Sequence, residues 1–120
     1  MIVASKVSSR KNKGRKLQQW VAQKVSELTG FEYGKDKPIE SRPMGQSGPD
    51  LRLDSNVLYK FPFSIECKNQ ENWKMHQWID QAQKNRLPNT DWLLVCKRNQ
   101  KNPVVIMDAE VFFNAKILKW

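Results

Sequence analysis

Soft metal ligands are scarce in this chain of 120 residues: two cysteines, Cys67 and Cys96, and one histidine, His76. Two thiols do not make the disulfide framework of a small secreted scaffold, and three soft ligands fall short of the four that a tetrahedral zinc site takes. Any bound metal is therefore expected to sit among oxygens. Long apolar runs are missing too, since none approaches the ~20 residues that cross a bilayer. The opening, "MIVASKVSSRKNKGRK", lacks the apolar segment and cleavage site of a secretory signal. A cytoplasmic protein with no membrane partner is expected. Internal repeats and low-complexity tracts are also absent.

Acids are the other shortage. Lys and Arg total 21 against 12 Asp and Glu, a net charge of +9, and such a surplus favours a polyanionic partner, nucleic acid ahead of membrane. Against that background "SGPDLRLD" (47–54) and "ECK" (66–68) place Asp50, Asp54 and Glu66 close together. Like charges gathered in a basic protein are either dispersed in solvent or held for a cation.

The length suits one domain. Residues 1–14, with Lys6, Arg10, Lys11 and Lys13, read as a mobile basic arm that contacts phosphates, and 15–120 as a single domain. From Arg15 to Thr29, Leu17, Trp20, Val21, Val25 and Leu28 recur at helical spacing, and Gly30 is the stop. Gln18 and Glu27 flank that stripe, so either is able to complete a site beside the core. Residues 31–49 read as a short strand (31–33) followed by a Gly- and Pro-rich loop. "DLRLD" and "VLYKFPFSIECK" read as a hairpin turning at "SN", with Val57, Tyr59, Phe61, Phe63, Ile65 and Cys67 on one face and Ser64, Glu66 and Lys68 on the other. Pro62 marks an edge or bulge. A helix over 72–85 carries Met75, Trp78, Ile79 and Ala82 on one face; "DWLLVCK" (91–97), mostly continuous in its hydrophobicity, is a central strand. "PVVIM" is a further strand, and Asp108 caps a last helix, "AEVFFNAKILKW".

Glu66 and Lys68, two apart on a strand, share one face, and Asp50, sixteen residues before Glu66, approaches it across the hairpin. Two carboxylates, a lysine and Mg²⁺ make a phosphodiester hydrolase: the metal activates water and offsets phosphate charge while the lysine orients the nucleophile. The pattern "GPDL … IECK" resembles the PD-(D/E)xK nuclease superfamily. The element order looks like its αβββαβ core, so the expected fold class is α/β, a restriction-endonuclease-like mixed sheet flanked by helices. More narrowly, "KGRKLQQW", "SGPDL" and "IECKN" are similar to the archaeal- and phage-type Holliday-junction resolvases over roughly residues 10 to 107.

That resemblance implies a Mg²⁺-dependent DNA endonuclease, with Mn²⁺ as substitute, acting on four-way junctions as a homodimer, in the host cytoplasm if phage-encoded. Where the resolvases carry a catalytic Glu four residues after a Gly, this chain has Gln18, whose carbonyl is still able to contact a metal or its water. Ser47 matches their Ser before the P-D element. The implied catalytic set is Asp50, Glu66, Lys68, Gln18 and Ser47, with Asp50, Glu66 and the Cys67 backbone carbonyl on the metal. DNA falls to Lys6, Arg10, Lys11, Lys13, Arg15, Arg42, Lys68 and Asn69. The alternatives are a restriction, repair or flap endonuclease of the same fold, or a DNA-binding module without catalysis.

Other polar residues read more plainly. Asp54 is a turn residue, Glu40 a solvated loop acid, and His76 an exposed helix residue, while Gln77 and Gln81 are within reach of DNA or the metal shell. Trp20, Trp78 and Trp92 are expected in the core. In the last helix Val111, Phe112, Ala115 and Leu118 share a face, which leaves Phe113 and Trp120 for a second subunit.

Overall fold

The computed structural model describes residues 2–42 and 47–114, with the side chains of residues 2–9 excepted. Expectations for the Lys6 side chain and for Ala115, Leu118 and Trp120 lie outside the described residues. The chain folds as a three-stranded mixed sheet with α1 on one face and α3 on the other, beside a small two-stranded ribbon.

α1 runs from Ile2 to Thr29. It therefore begins well before Arg15, and the segment expected to be an arm is the first half of this helix. Its buried stripe is Leu17, Gln18, Val21, Ala22, Val25 and Thr29, whereas Trp20 is 45% and Leu28 69% exposed. At roughly 100° per residue this stripe is rotated by about 60° from the expected one of Leu17, Trp20, Val21, Val25 and Leu28. The small side chain of Ala22 allows close approach to the sheet, and the rotation carries Gln18 from the flank to the middle of the covered face.

β1 (Ile39–Ser41) pairs antiparallel with β2 (Leu51–Leu53), Ile39 opposite Leu53. No strand forms at 31–33; Tyr33 makes only a single bridge to Ile39. The expected hairpin is also replaced. Ser55–Lys60 is a short helix, α2, and the strand, β3, occupies Phe63–Asn69. Val57 and Phe61, four apart, satisfy a helical turn as well as an alternating pattern; Val57 is fully buried while Tyr59 stands 90% exposed.

β3 pairs in parallel with β4 (Asp91–Lys97) through α3 (Met75–Asn85), and β4 pairs antiparallel with β5 (Val104–Met107). Central β4 is covered on both sides, which explains its unbroken apolar run. Leu93 and Val95 join Leu17, Val21, Val25, Ile65 and Leu51 in the core under α1. Trp92, Leu94 and Cys96 join Trp78 and Ala82 under α3. Asp108 caps α4 (Ala109–Phe113) as expected, its carboxylate accepting from Val111 N at 3.1 Å.

Candidate active site

β3 delivers the central acid. Its pleat sends Phe63 and Ile65 into the core under α1 and Ser64 and Glu66 to the opposite face. That face is itself roofed by the C-terminal end of α3, so Glu66 is only 2% exposed. Asn85, the last residue of α3, donates from Nδ2 to Glu66 Oε1 at 2.9 Å.

Asp50, immediately before β2, arrives without a hairpin between β2 and β3. Its backbone N donates to Ile65 O at 2.8 Å, its carbonyl accepts from Arg42 N at 2.8 Å, and its Oδ2 accepts from Cys67 N at 2.7 Å. The carboxylate thus takes the place of the next rung beside β3. Gly48, at φ +93°, makes the bend that brings it there, and a side chain at that position would press on the Arg42 guanidinium.

The two acids interact directly. Burial, then the charge of Asp50, pushes Glu66 up to about 7, although the Asn85 hydrogen bond and Lys68 oppose the shift. Burial raises Asp50 too, against the Cys67 N–H, Lys68 and Arg42. A buried pair of like charges of this kind is costly unless a cation joins it.

Both acids open onto a cavity of about 730 Å³. α1 contributes Arg10, Lys11, Lys13, Gly14 and Gln18 to one side; Cys67, Lys68 and Asn69 line it along β3; the far side comes from Gln70, Glu71, Asn72, Lys74, Gln81 and Asn99. Gln18 is therefore at the site. Glu27 is not: it is exposed on the opposite side of α1, beside Lys24 at 3.7 Å. Asn69 Nδ2 donates to Lys13 O at 3.2 Å, tying β3 to α1, and its Oδ1 is buried with no hydrogen-bond partner among the described residues.

Other candidates fall elsewhere. Ser47 and Arg15 are exposed and do not line the cavity, nor do His76 and Gln77. Glu40 and Asp54 both bind Arg52 instead. Asn85 escaped sequence reading, because an amide at a helix end carries no local signal that it will meet an acid on a strand nineteen residues away.

The donor set suits a hard divalent cation. Among the described residues no three His, Cys, Asp or Glu converge, so the ligands would be Asp50, Glu66, the Gln18 amide and the Cys67 carbonyl, all oxygen, completed by solvent.

Among the described residues no helix is long and apolar enough to cross a membrane. No curated protein and no solved structure matches the chain. The family model described as "Phage putative PDDEXK endonuclease" matches residues 9–119, nearly the entire length, and the chain belongs to that family.

Proposed function

We propose that this chain is a Mg²⁺-dependent endodeoxyribonuclease that cuts branched DNA, four-way junctions above all, as a homodimer. The observation that carries the nuclease reading is the meeting of Asp50 and Glu66 at a cavity that Lys68 and Gln18 also line. A divalent cation held by Asp50, Glu66 and the Cys67 carbonyl would supply charge neutralisation at the phosphate and make water more acidic. The chain's own groups do the rest. Lys68 shares the face of Glu66, donates to the attacking water and offsets charge as a fifth oxygen gathers on phosphorus. Water oxygen bonds to phosphorus and releases a proton to surrounding solvent, the bond to the leaving oxygen breaks, and that oxygen takes up a proton from solvent. Gln18 fixes solvent through its amide, and Arg10, Lys11 and Lys13 hold neighbouring phosphates.

The preference for junctions rests on the likeness of "KGRKLQQW", "SGPDL" and "IECKN" to resolvases. The dimer is supported by apolar surface left open on β5 and α4, where Val105 is 55% and Phe113 73% exposed. A twofold pair would present two such sites to one junction.

Labelled four-way junction, flap and linear duplex, each with Mg²⁺ or with chelator, test this reading. Paired cuts in the junction, absent with chelator, are expected. Equal cutting of all three substrates would remove the junction preference, and no cutting with either Mg²⁺ or Mn²⁺ would remove the nuclease. Sedimentation is expected at about twice the 14.1 kDa chain mass, with Phe113→Asp moving it toward monomer.

A further inference from the structure

Each acid of the pair has one oxygen held by an N–H donor: Asp50 Oδ2 by Cys67 N at 2.7 Å, and Glu66 Oε1 by Asn85 Nδ2 at 2.9 Å. The first donor is backbone and comes with the strand. The second is a side chain whose presence needs a reason. Asn85 is half-buried and does not line the cavity, although Gln81, one turn earlier on α3, does. Asn85 therefore stands behind Glu66, where substrate does not reach.

Its position is held from two directions. Immediately after α3, Leu87 N donates to Ser64 Oγ at 2.9 Å. Ser64 Oγ lies 2.7 Å from Thr90 Oγ1, which in turn donates to Leu87 O at 2.7 Å. Ser64 precedes Glu66 by two residues and shares its face, so the end of α3 is fastened to β3 at two successive side chains. Ser64 and Thr90 are 4% and 5% exposed, which shields these bonds from competing water.

The terminal torsion of a glutamate is broad, because rotation of a carboxylate about an sp³–sp² bond meets little barrier. Left alone, the Glu66 carboxylate would sample many orientations, and few would direct an oxygen at the same point as Asp50. We infer that Asn85 is a positioning residue of the cation site: by occupying Oε1 it turns the other oxygen of Glu66 toward Asp50. The Ser64–Leu87–Thr90 cluster holds Asn85 in place to do so. Residues that orient ligands from behind in this way are typically worth about 10- to 100-fold in metal affinity. The inference rests on reading Asp50 and Glu66 as cation ligands.

Mn²⁺ titration of the full chain, followed by its electron spin resonance signal, tests both levels. Wild type, Asn85→Leu, Glu66→Gln and the double variant are compared, with thermal melting of the metal-free proteins as a control for folding. Asn85→Leu is expected to weaken Mn²⁺ binding at least tenfold, and to add nothing in the Glu66→Gln background, where the oriented ligand is already gone. Ser64→Ala, which loosens the clamp and leaves the donor in place, is expected to give a smaller loss in the same direction. It also serves as the deciding variant should Asn85→Leu fail to fold. Affinity within twofold of wild type in the folded Asn85→Leu protein, or equal losses from Asn85→Leu with and without Glu66→Gln, would overturn the inference alone. A wild-type chain that neither binds Mn²⁺ nor cuts DNA would overturn it together with the nuclease reading.

Discussion

Two pairs of acids lie close together in the sequence and are treated in opposite ways. Glu40 and Asp54 sit on the outer side of the β1–β2 ribbon, where Arg52 bonds both, Glu40 at 3.1 Å, and places its other nitrogen 2.7 Å from Lys37 O. The Asp36 N–H and then Arg52 hold Glu40 below the usual carboxylate range. Asp50 and Glu66, by contrast, are covered by protein and pushed upward. In a chain with nine more basic than acidic residues, the outer pair has its own guanidinium while the inner pair keeps its charge for something the fold does not supply. Folding alone would favour the outer arrangement, so the inner pair is the candidate for function.

The largest effect should separate the pairs outright. Asp50→Asn or Glu66→Gln is expected to lower cleavage on the order of 10³-fold or more, with DNA affinity equal or slightly higher because a repulsive carboxylate is gone. Glu40→Gln and Asp54→Asn should retain wild-type rates. A single-turnover cleavage assay with a parallel binding measurement tells them apart, and similar rates in all four variants would erase the distinction.

Substrate binding gives the next effect. Arg10, Lys11 and Lys13 line the cavity beside the inner pair, and replacing all three by Gln should flatten the slope of log affinity against log salt by about 2 to 3. The same exchange at Lys35 and Lys37, near Glu40, should change it far less. Fluorescence anisotropy over a series of salt concentrations reads both slopes.

The pairs should also differ with pH. A Glu66 at about 7 in the folded chain, against its ordinary value of 4.5, binds more protons folded than unfolded between those values. The stability it contributes is present at low pH and is lost as pH rises through about 7, and Asp50 acts in the same sense. Metal-free protein should therefore lose melting temperature between pH 5 and 8, and added Mg²⁺ should recover more of it at pH 8 than at pH 6. Glu66→Gln should flatten the pH profile. Glu40 has the opposite sign, its stabilising contribution being lost as pH falls below the carboxylate range.

The smallest effect belongs to the outer pair itself. Arg52→Met removes two exposed ion pairs and should cost about 1 kcal/mol or less, a few degrees of melting temperature, with no change in cleavage. A cleavage defect there would mean that the ribbon aligns Asp50 through Arg52.

Much of the inner site was legible in the sequence because its parts are local. Glu66 and Lys68 share a face by the two-residue repeat of any strand, β4 announces itself by an unbroken apolar run, and Asp108 caps its helix through contacts three residues long. Asp50 was legible as a partner of Glu66 but by the wrong route. The expected hairpin used Val57 to Phe61 as strand, whereas α2 intervenes, and β2 finds its partner in a three-residue strand inside the Gly- and Pro-rich segment. Such short elements are decided by packing against α1 and β3, not by their own pattern. Asn85, and the choice of Gln18 over Glu27, likewise depended on which side of a helix the sheet came to meet.

The continuity of α1 has a further consequence. A tether would let the basic residues wander over a substrate and average out any preferred distance. On a helix, Arg10 stands about 12 Å along the axis from Gln18, at 1.5 Å per residue, and the Asn69 bond to the Lys13 carbonyl stops the shaft from sliding. The grip and the blade are then parts of one rigid caliper, and the scissile bond would fall at a set number of nucleotides from the phosphate held at its far jaw.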